Sequence, residues 1–137
     1  MEAHFTAIDP PGPGTGGPRY SQAALVPLDH TRSLMFISGQ VASGEEGARA
    51  AADTAAQTEV VFDRLERLLH KEGGSLGDLV SVVIYVLDRA DLPDVTAIRD
   101  RRLADPPPTS TLLQVSGLAR PDFRVEISGV ALVSHAT

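Results

Sequence analysis

Hydrophobic positions along this chain switch between two periods from residue 20 onward. Apolar residues dominate Tyr20–Leu28 and Ser33–Gln40, two runs of strand length separated by the polar tetrapeptide Asp29-His30-Thr31-Arg32. That spacing predicts a hairpin. The run Leu34-Met35-Phe36-Ile37 ends sharply at Ser38-Gly39, and Gly44–Gly47 reads as a loop. Between Asp53 and Lys71 the period becomes helical. Val61, Leu65, Leu68 and Leu69 form one stripe, and Asp63, Arg64, Glu66 and Arg67 lie off it. Asp53 is placed to cap this helix, and Gly73-Gly74 to end it in a left-handed turn.

Val80–Leu87 is rich in β-branched residues and reads as a strand. Leu92–Leu103 reads as a second helix, charged at Asp94, Arg99, Asp100, Arg101 and Arg102, and Pro106-Pro107-Pro108 must break it. Thr111–Val115 and Arg124–Val133 read as two closing strands. The order ββαβαββ predicts the α+β class, a mixed sheet with two helices on one face. One strand departs from that plan. In Val80–Leu87 both alternating sets are apolar: Val82, Ile84 and Val86 on one side, Val83, Tyr85 and Leu87 on the other. A sheet covered on one face alternates apolar with polar. Something must therefore cover the second face, and the simplest cover is another copy of the chain.

Composition narrows the chemistry. The 137 residues suit one domain. With no cysteine, disulfides, zinc thiolates, iron–sulfur clusters and thiol nucleophiles are excluded. The formal charge of −6 disfavours electrostatic binding of nucleic acid or anionic lipid. No apolar run approaches the roughly 20 residues that span a membrane, and Met1–Asp9 lacks the pattern of a secretory signal. A cytoplasmic location is the expectation. Eight of the nine residues Pro10–Pro18 are Pro or Gly. Residues 1–18 thus read as a flexible Pro/Gly-rich arm, and residues 19–137 as the single domain.

Familiar catalytic constellations are missing. His4, His30, His70 and His135 show no metal-ligand spacing, and no phosphate-binding glycine loop or nucleophile elbow occurs. Neither a metal nor a cofactor is expected. Glu126 stands out because it lies between Val125 and Ile127 in an apolar strand. An ionised carboxylate is costly there unless it is paired or faces a cleft. By strand period Arg124 and Ser128 share its face, so it is either part of a polar edge or an acid, base or water-orienting group at a site wall. Ser110 and Thr111 follow the triple proline, where hydroxyls either satisfy loop backbone or meet a ligand. Ser38-Gly39-Gln40 offers close backbone approach, as a turn or as a binding loop. Arg99, Arg101 and Arg102, interleaved with acids, read as a solvated helix face.

A set of segments in order then resembles the reactive-intermediate deaminase (RidA/YjgF) family over Pro18 to Val133. They are Tyr20-Ser21-Gln22-Ala23, Phe36-Ile37-Ser38-Gly39-Gln40-Val41, Gln57-Thr58, Gly73-Gly74-Ser75-Leu76-Gly77-Asp78-Leu79-Val80, Val83-Ile84-Tyr85-Val86, and Val125-Glu126-Ile127 with Val130-Ala131. The resemblance implies a chorismate-mutase-like domain assembled as a homotrimer, with small-molecule clefts between subunits. It also implies hydrolysis of imines or enamines to a ketoacid or ketone plus ammonia, without metal or cofactor.

Tyr20 matches the family's N-terminal tyrosine, Gly39 its loop glycine and Glu126 its water-orienting glutamate. The family's proline–small–arginine–serine motif, whose arginine holds a substrate carboxylate, is similar to Pro108-Thr109-Ser110-Thr111, with Ser110 in the arginine's place. A neutral hydroxyl does not replace a guanidinium as a carboxylate clamp. The expectation is therefore a carbonyl, imine or enamine substrate without the usual carboxylate anchor, with hydrolytic deamination as the favoured reaction and a related dehydration, cyclisation or tautomerisation next. On this reading Glu126 and Ser110 are the catalytic candidates, and Tyr20, Gly39, Thr111 and Leu112 contact substrate. A ligand-binding or partner-regulating trimer without turnover is the alternative. The family's endoribonuclease label fits poorly with the acidic charge.

Overall fold

The computed structural model describes residues 4–10 and 19–135. Six strands form one mixed sheet: β1 (Thr6–Ile8), β2 (Ala23–Pro27), β3 (Arg32–Gln40), β4 (Leu79–Val86), β5 (Thr109–Gln114) and β6 (Val125–Ser134). Their spatial order is β1-β2-β3-β6-β4-β5, antiparallel except for the parallel pair β4–β5. Three helices accompany them: α1 (Gly44–Ala50), α2 (Thr54–Lys71) and α3 (Leu92–Arg102).

Local chemistry explains the main elements. The β2–β3 hairpin is tied by Asp29, whose Oδ1 accepts from the amides of Thr31 and Arg32 and whose Oδ2 takes two bonds from the Arg32 guanidinium. Asp53 caps α2, its side chain accepting from the Ala56 amide. At the other end Gly73 takes φ +75° and Gly74 N–H returns to the Leu69 carbonyl, the left-handed stop that the glycine pair predicts. The α2 stripe of Val61, Phe62, Leu65, Leu68 and Leu69 is buried against Met35, Ile37, Val82, Ile84, Ile127, Ala131 and Val133 of the sheet, with Val95 of α3 alongside. Buried Gln57 joins helix to strand. Its amide donates to the carbonyls of Ala51 and Asp122, and its oxygen accepts from the Arg124 amide where β6 begins.

The expected α+β sheet with α2 and α3 on one face is present, with two differences. Gly44–Ala50 is the short helix α1 rather than a loop. Its alternation of glycine, alanine and charge has no hydrophobic stripe, so periodicity is silent there. Thr6–Ile8, within the arm assigned to residues 1–18, pairs with β2 as an edge strand, and residues 11–18 of that arm lie outside the described residues.

The face away from the helices carries the second apolar set. Val82, Ile84 and Val86 are buried beneath α2 and α3, whereas Val83 and Tyr85 point to the opposite side and are only half-buried. Phe36 and Leu113 on that open face are 45% and 44% exposed, beside half-buried Val26, Leu34, Val130 and Leu132.

Candidate active site

Glu126 enters the open face by strand alternation: Val125 and Ile127 are fully buried in the core, so the residue between them points away from the helices. Its cross-strand neighbour on β4 is Tyr85, and Tyr85 in turn faces Leu113 of β5. On its other side lies β3, where the pairing with β6 slips between Ile37 and Gln40. The bulge is held by several polar contacts. Ser38 N–H bonds to the Gln22 carbonyl and Ser38 Oγ to the Ser21 carbonyl, while buried Gln40 donates to Gln22 Oε1 and to the Ser38 carbonyl.

Gly39 sits within this bulge, directly under the Glu126 carboxylate. A Cβ at residue 39 would lie 2.3 Å from Glu126 Oε2 and 2.7 Å from its Cδ, inside van der Waals contact. Gly39 therefore makes the space that the carboxylate occupies. The reason is steric, because the backbone at this position is not in the left-handed region.

The electrostatics are unusual for a surface acid. Burial pushes the Glu126 carboxyl above the ordinary glutamate range. Among the described residues no side chain or backbone group bonds to it and no cation pairs with it. Arg124, which strand period assigns to the same face, turns away. Its guanidinium reaches Thr54 Oγ1 and Asp91 Oδ2, both at 3.4 Å, on the helical side. Of the two sequence readings, the polar edge loses its cation. What remains is a partly desolvated carboxylate, paired across the strands with Tyr85 and seated over the Gly39 bulge, with its oxygens uncommitted. Such a group keeps its proton to a higher pH than an ordinary glutamate does, as a general acid requires.

The other candidates divide by face. Thr111 pairs with Val83 and so lies on the open face, one strand removed from Ser128 and Glu126. Tyr20, 53% exposed, precedes β2 and lines a shallow concavity with Phe5, Phe36 and Ser38 at the end of β3 that carries Gly39. Leu112 pairs with Ile84 and packs on the core from the helical side. Ser110 pairs with Val82, so it too faces the helices, and within one chain it and Glu126 lie on opposite faces of the sheet. There Arg99 of α3 meets it, Nη1 donating to Ser110 Oγ at 3.3 Å. Arg101 is exposed and pairs with Glu59, as expected, but the Arg102 side chain is only 15% exposed, pairing with Glu59 and Asp63 of α2 over the Phe62 ring. The expected solvated face therefore fails at Arg102 and at Arg99.

Sequence reasoning passed over Tyr85 as a neighbour of Glu126 and placed Arg99 on a solvated helix face, where the structure instead leaves its side chain 23% exposed. Tyr85 was legible as the one aromatic residue of a strand that is otherwise aliphatic but for Ser81. Arg99 gave no local signal, because its place depends on how the proline turn folds β5 back under α3. The described residues contain no group of three or more His, Asp or Glu arranged to hold a metal ion, and no helix among them is long and apolar enough to cross a membrane.

Comparison with known proteins gives a consistent picture. The sequence model of the family "Endoribonuclease L-PSP" matches residues 16–133. The chain is 31% identical over 112 residues to a 3-aminoacrylate deaminase, RutC, of Acinetobacter baylyi, covering 81% of this chain and 88% of that one. It is 31% identical over 114 residues to the protein DfrA of Myxococcus xanthus, covering 82% and 84%. Among solved structures, a YjgF/YER057c/UK114 family member from Mycobacterium tuberculosis superposes with a TM-score of 0.75 at 26% identity, over 94% of this chain and 99% of the other. RidA from an Antarctic Psychrobacter superposes at 0.72, with 26% identity over 96% and 100%.

Proposed function

Because the chain belongs to the endoribonuclease L-PSP family, the RidA/YjgF proteins, we propose that it hydrolyses a small imine or enamine in a cleft completed by neighbouring copies of itself. The observation that carries this reading is the Glu126 carboxylate, partly desolvated, uncommitted and held over Gly39 on an apolar face. In hydrolysis, water adds to the imine carbon and the nitrogen takes a proton. The resulting carbinolamine then expels ammonia and leaves a carbonyl, so that one imine and one water give one ketone or ketoacid and one ammonia. As carboxylate, Glu126 accepts the proton of the attacking water. As carboxylic acid, it returns a proton to the departing nitrogen, or to the carbon of an enamine that must first become the imine. A pKa lifted by burial suits both halves of this cycle.

Tyr20, Gly39 and Thr111 would form the wall around the substrate. The exposed Phe36 and Leu113 support closure by further copies as a homotrimer, since an apolar sheet face of this kind is stable only when covered. The net charge of −6 speaks against a polyanionic RNA substrate.

The test is turnover of an imine generated in situ from an amino acid, followed as ammonia release. Wild type should accelerate the uncatalysed hydrolysis, and Glu126→Gln, which keeps shape but cannot carry the proton, should lose about 10²-fold or more in kcat. Equal rates for the two proteins would remove the role assigned to Glu126. Ligand binding with no turnover by wild type would favour a binding protein instead.

A further inference from the structure

On the helical side of the sheet, between α2, α1 and the end of β1, lies a cavity of about 390 Å³, a size that suits a small molecule. Arg64, Arg67 and Lys71 enter it from α2, where steps of three and four residues put them on one face. Glu46 of α1 and Asp9, just past β1, are the two carboxylates in its wall.

Three cations thus meet two acids, and the pairing shows which cation is left over. Arg67 gives Nη1 and Nη2 to the two Glu46 oxygens, at 2.8 and 3.0 Å. Lys71 pairs with Asp9. Arg64 pairs with no carboxylate among the described residues. Its Nη2 donates to the Ser43 carbonyl, and its Nε is buried without a partner. A guanidinium kept from water on one edge and lacking a counter-ion acts on its surroundings more strongly than a solvated one. The negative end of the α2 dipole, roughly half a charge, falls near Lys71 and leaves the balance positive.

The hydrogen-bonding groups lean the same way. Buried Gln40 spends Nε2 on the Ser38 carbonyl at 3.0 Å and on Gln22 Oε1 at 3.1 Å. A carbonyl can only accept, so the Ser38 contact fixes the Gln40 amide and, through it, the Gln22 amide. Gln22 Nε2 therefore keeps both protons, with no partner among the described residues. Gln22, Arg64 and Lys71 line one cavity, and their unspent N–H groups outnumber its uncommitted acceptors. Three separate donor groups suit an oxyanion with three or four oxygens better than the two oxygens of a carboxylate. The Lys71–Asp9 pair is half-exposed on both sides, and such pairs contribute little. An anion that displaces Asp9 from Lys71 meets three cations and one acid, a balance that matches two negative charges.

We propose that Arg64, Lys71 and Gln22 form a binding site for a phosphate group, free or on a small phosphomonoester, and that Asp9 gives way to it. The site is independent of Glu126, which points from the opposite face of the sheet.

The experiment is calorimetric titration of the full chain at about pH 8, where phosphate is mostly a dianion, with inorganic phosphate, glycerol 3-phosphate and acetate. Wild type and Glu126→Gln should bind phosphate alike. Arg64→Gln and Lys71→Gln should each weaken it about ten-fold or more. Lys71 is half-exposed, so its variant reads the site even where loss of the Arg64–Ser43 contact disturbs α1. Asp9→Asn should tighten phosphate about two- to five-fold, a sign that damage to the fold does not produce. Acetate should bind wild type about ten-fold more weakly than phosphate.

Glycerol 3-phosphate binding more tightly than phosphate identifies a phosphomonoester as the ligand, whereas equal or weaker binding identifies the free ion. Either result upholds the site. No phosphate binding by wild type, undiminished binding by Arg64→Gln or Lys71→Gln, Asp9→Asn binding no more tightly than wild type, or acetate matching phosphate would overturn it. Lost binding in Glu126→Gln would put the anion in the catalytic cleft and overturn it equally.

Discussion

At Gly39 the absence of one methyl group decides where a carboxylate sits. Because a Cβ there would lie 2.3 Å from Glu126 Oε2, Gly39→Ala should displace the carboxylate or shift the bulge, at about 1–3 kcal/mol of stability. In a Glu126→Ala background the same change should cost much less, since the clash is gone. Urea unfolding of the four proteins measures that coupling, and additive effects would show that the two residues do not share space. Glu126 itself should be a stability liability. Its carboxyl titrates higher in the folded chain than in the unfolded one, so the folded state binds more protons, and stability falls as pH rises from the unfolded value through the raised folded one. Glu126→Gln should therefore raise the melting temperature at pH 7 and have little effect at about pH 3.5, below the ordinary glutamate value, where both side chains are largely uncharged. A lower melting temperature at pH 7 would mean that the carboxylate is paired.

At the scale of elements, Gln57 links the α1–α2 turn, the start of β6 and the loop before it through three hydrogen bonds. Gln57→Ala would leave two carbonyls and one N–H without partners, and should lower the free energy of unfolding by roughly 2–4 kcal/mol in urea titration. A loss below about 0.5 kcal/mol, the usual range for surface changes, would show that water replaces these bonds freely. The elements that periodicity identifies best are those whose burial is one-sided and long. The α2 stripe from Val61 to Leu69, its Asp53 cap and its Gly73 stop are legible in the sequence because each is a local chemical requirement. Helix α1 is not, since a seven-residue helix of small and charged residues lacks a stripe, and strand β1 is too short to alternate. The candidate site divides in the same way. Alternation puts Glu126 on the open face from sequence alone, but Arg124's turn toward Asp91 and Ser110's place beneath Arg99 depend on contacts between elements far apart in the chain.

For the whole molecule, the governing fact is a sheet with two apolar faces and helices on only one. Val83, Tyr85, Phe36 and Leu113 lie on the face that no helix covers, and further copies of the chain are the cover proposed for it. Wild type should sediment as a trimer at micromolar concentration, and Phe36→Glu, which places a charge on that face, should shift it to monomer or to aggregate. A monodisperse wild-type monomer would contradict the intersubunit cleft. The measurement that bears most directly on the central claim is the single-site comparison of kcat for an in situ imine between wild type and Glu126→Gln, both verified as assembled by sedimentation. A loss of about 10²-fold or more with assembly unchanged is the predicted result. Turnover by Glu126→Gln at the wild-type rate would contradict it.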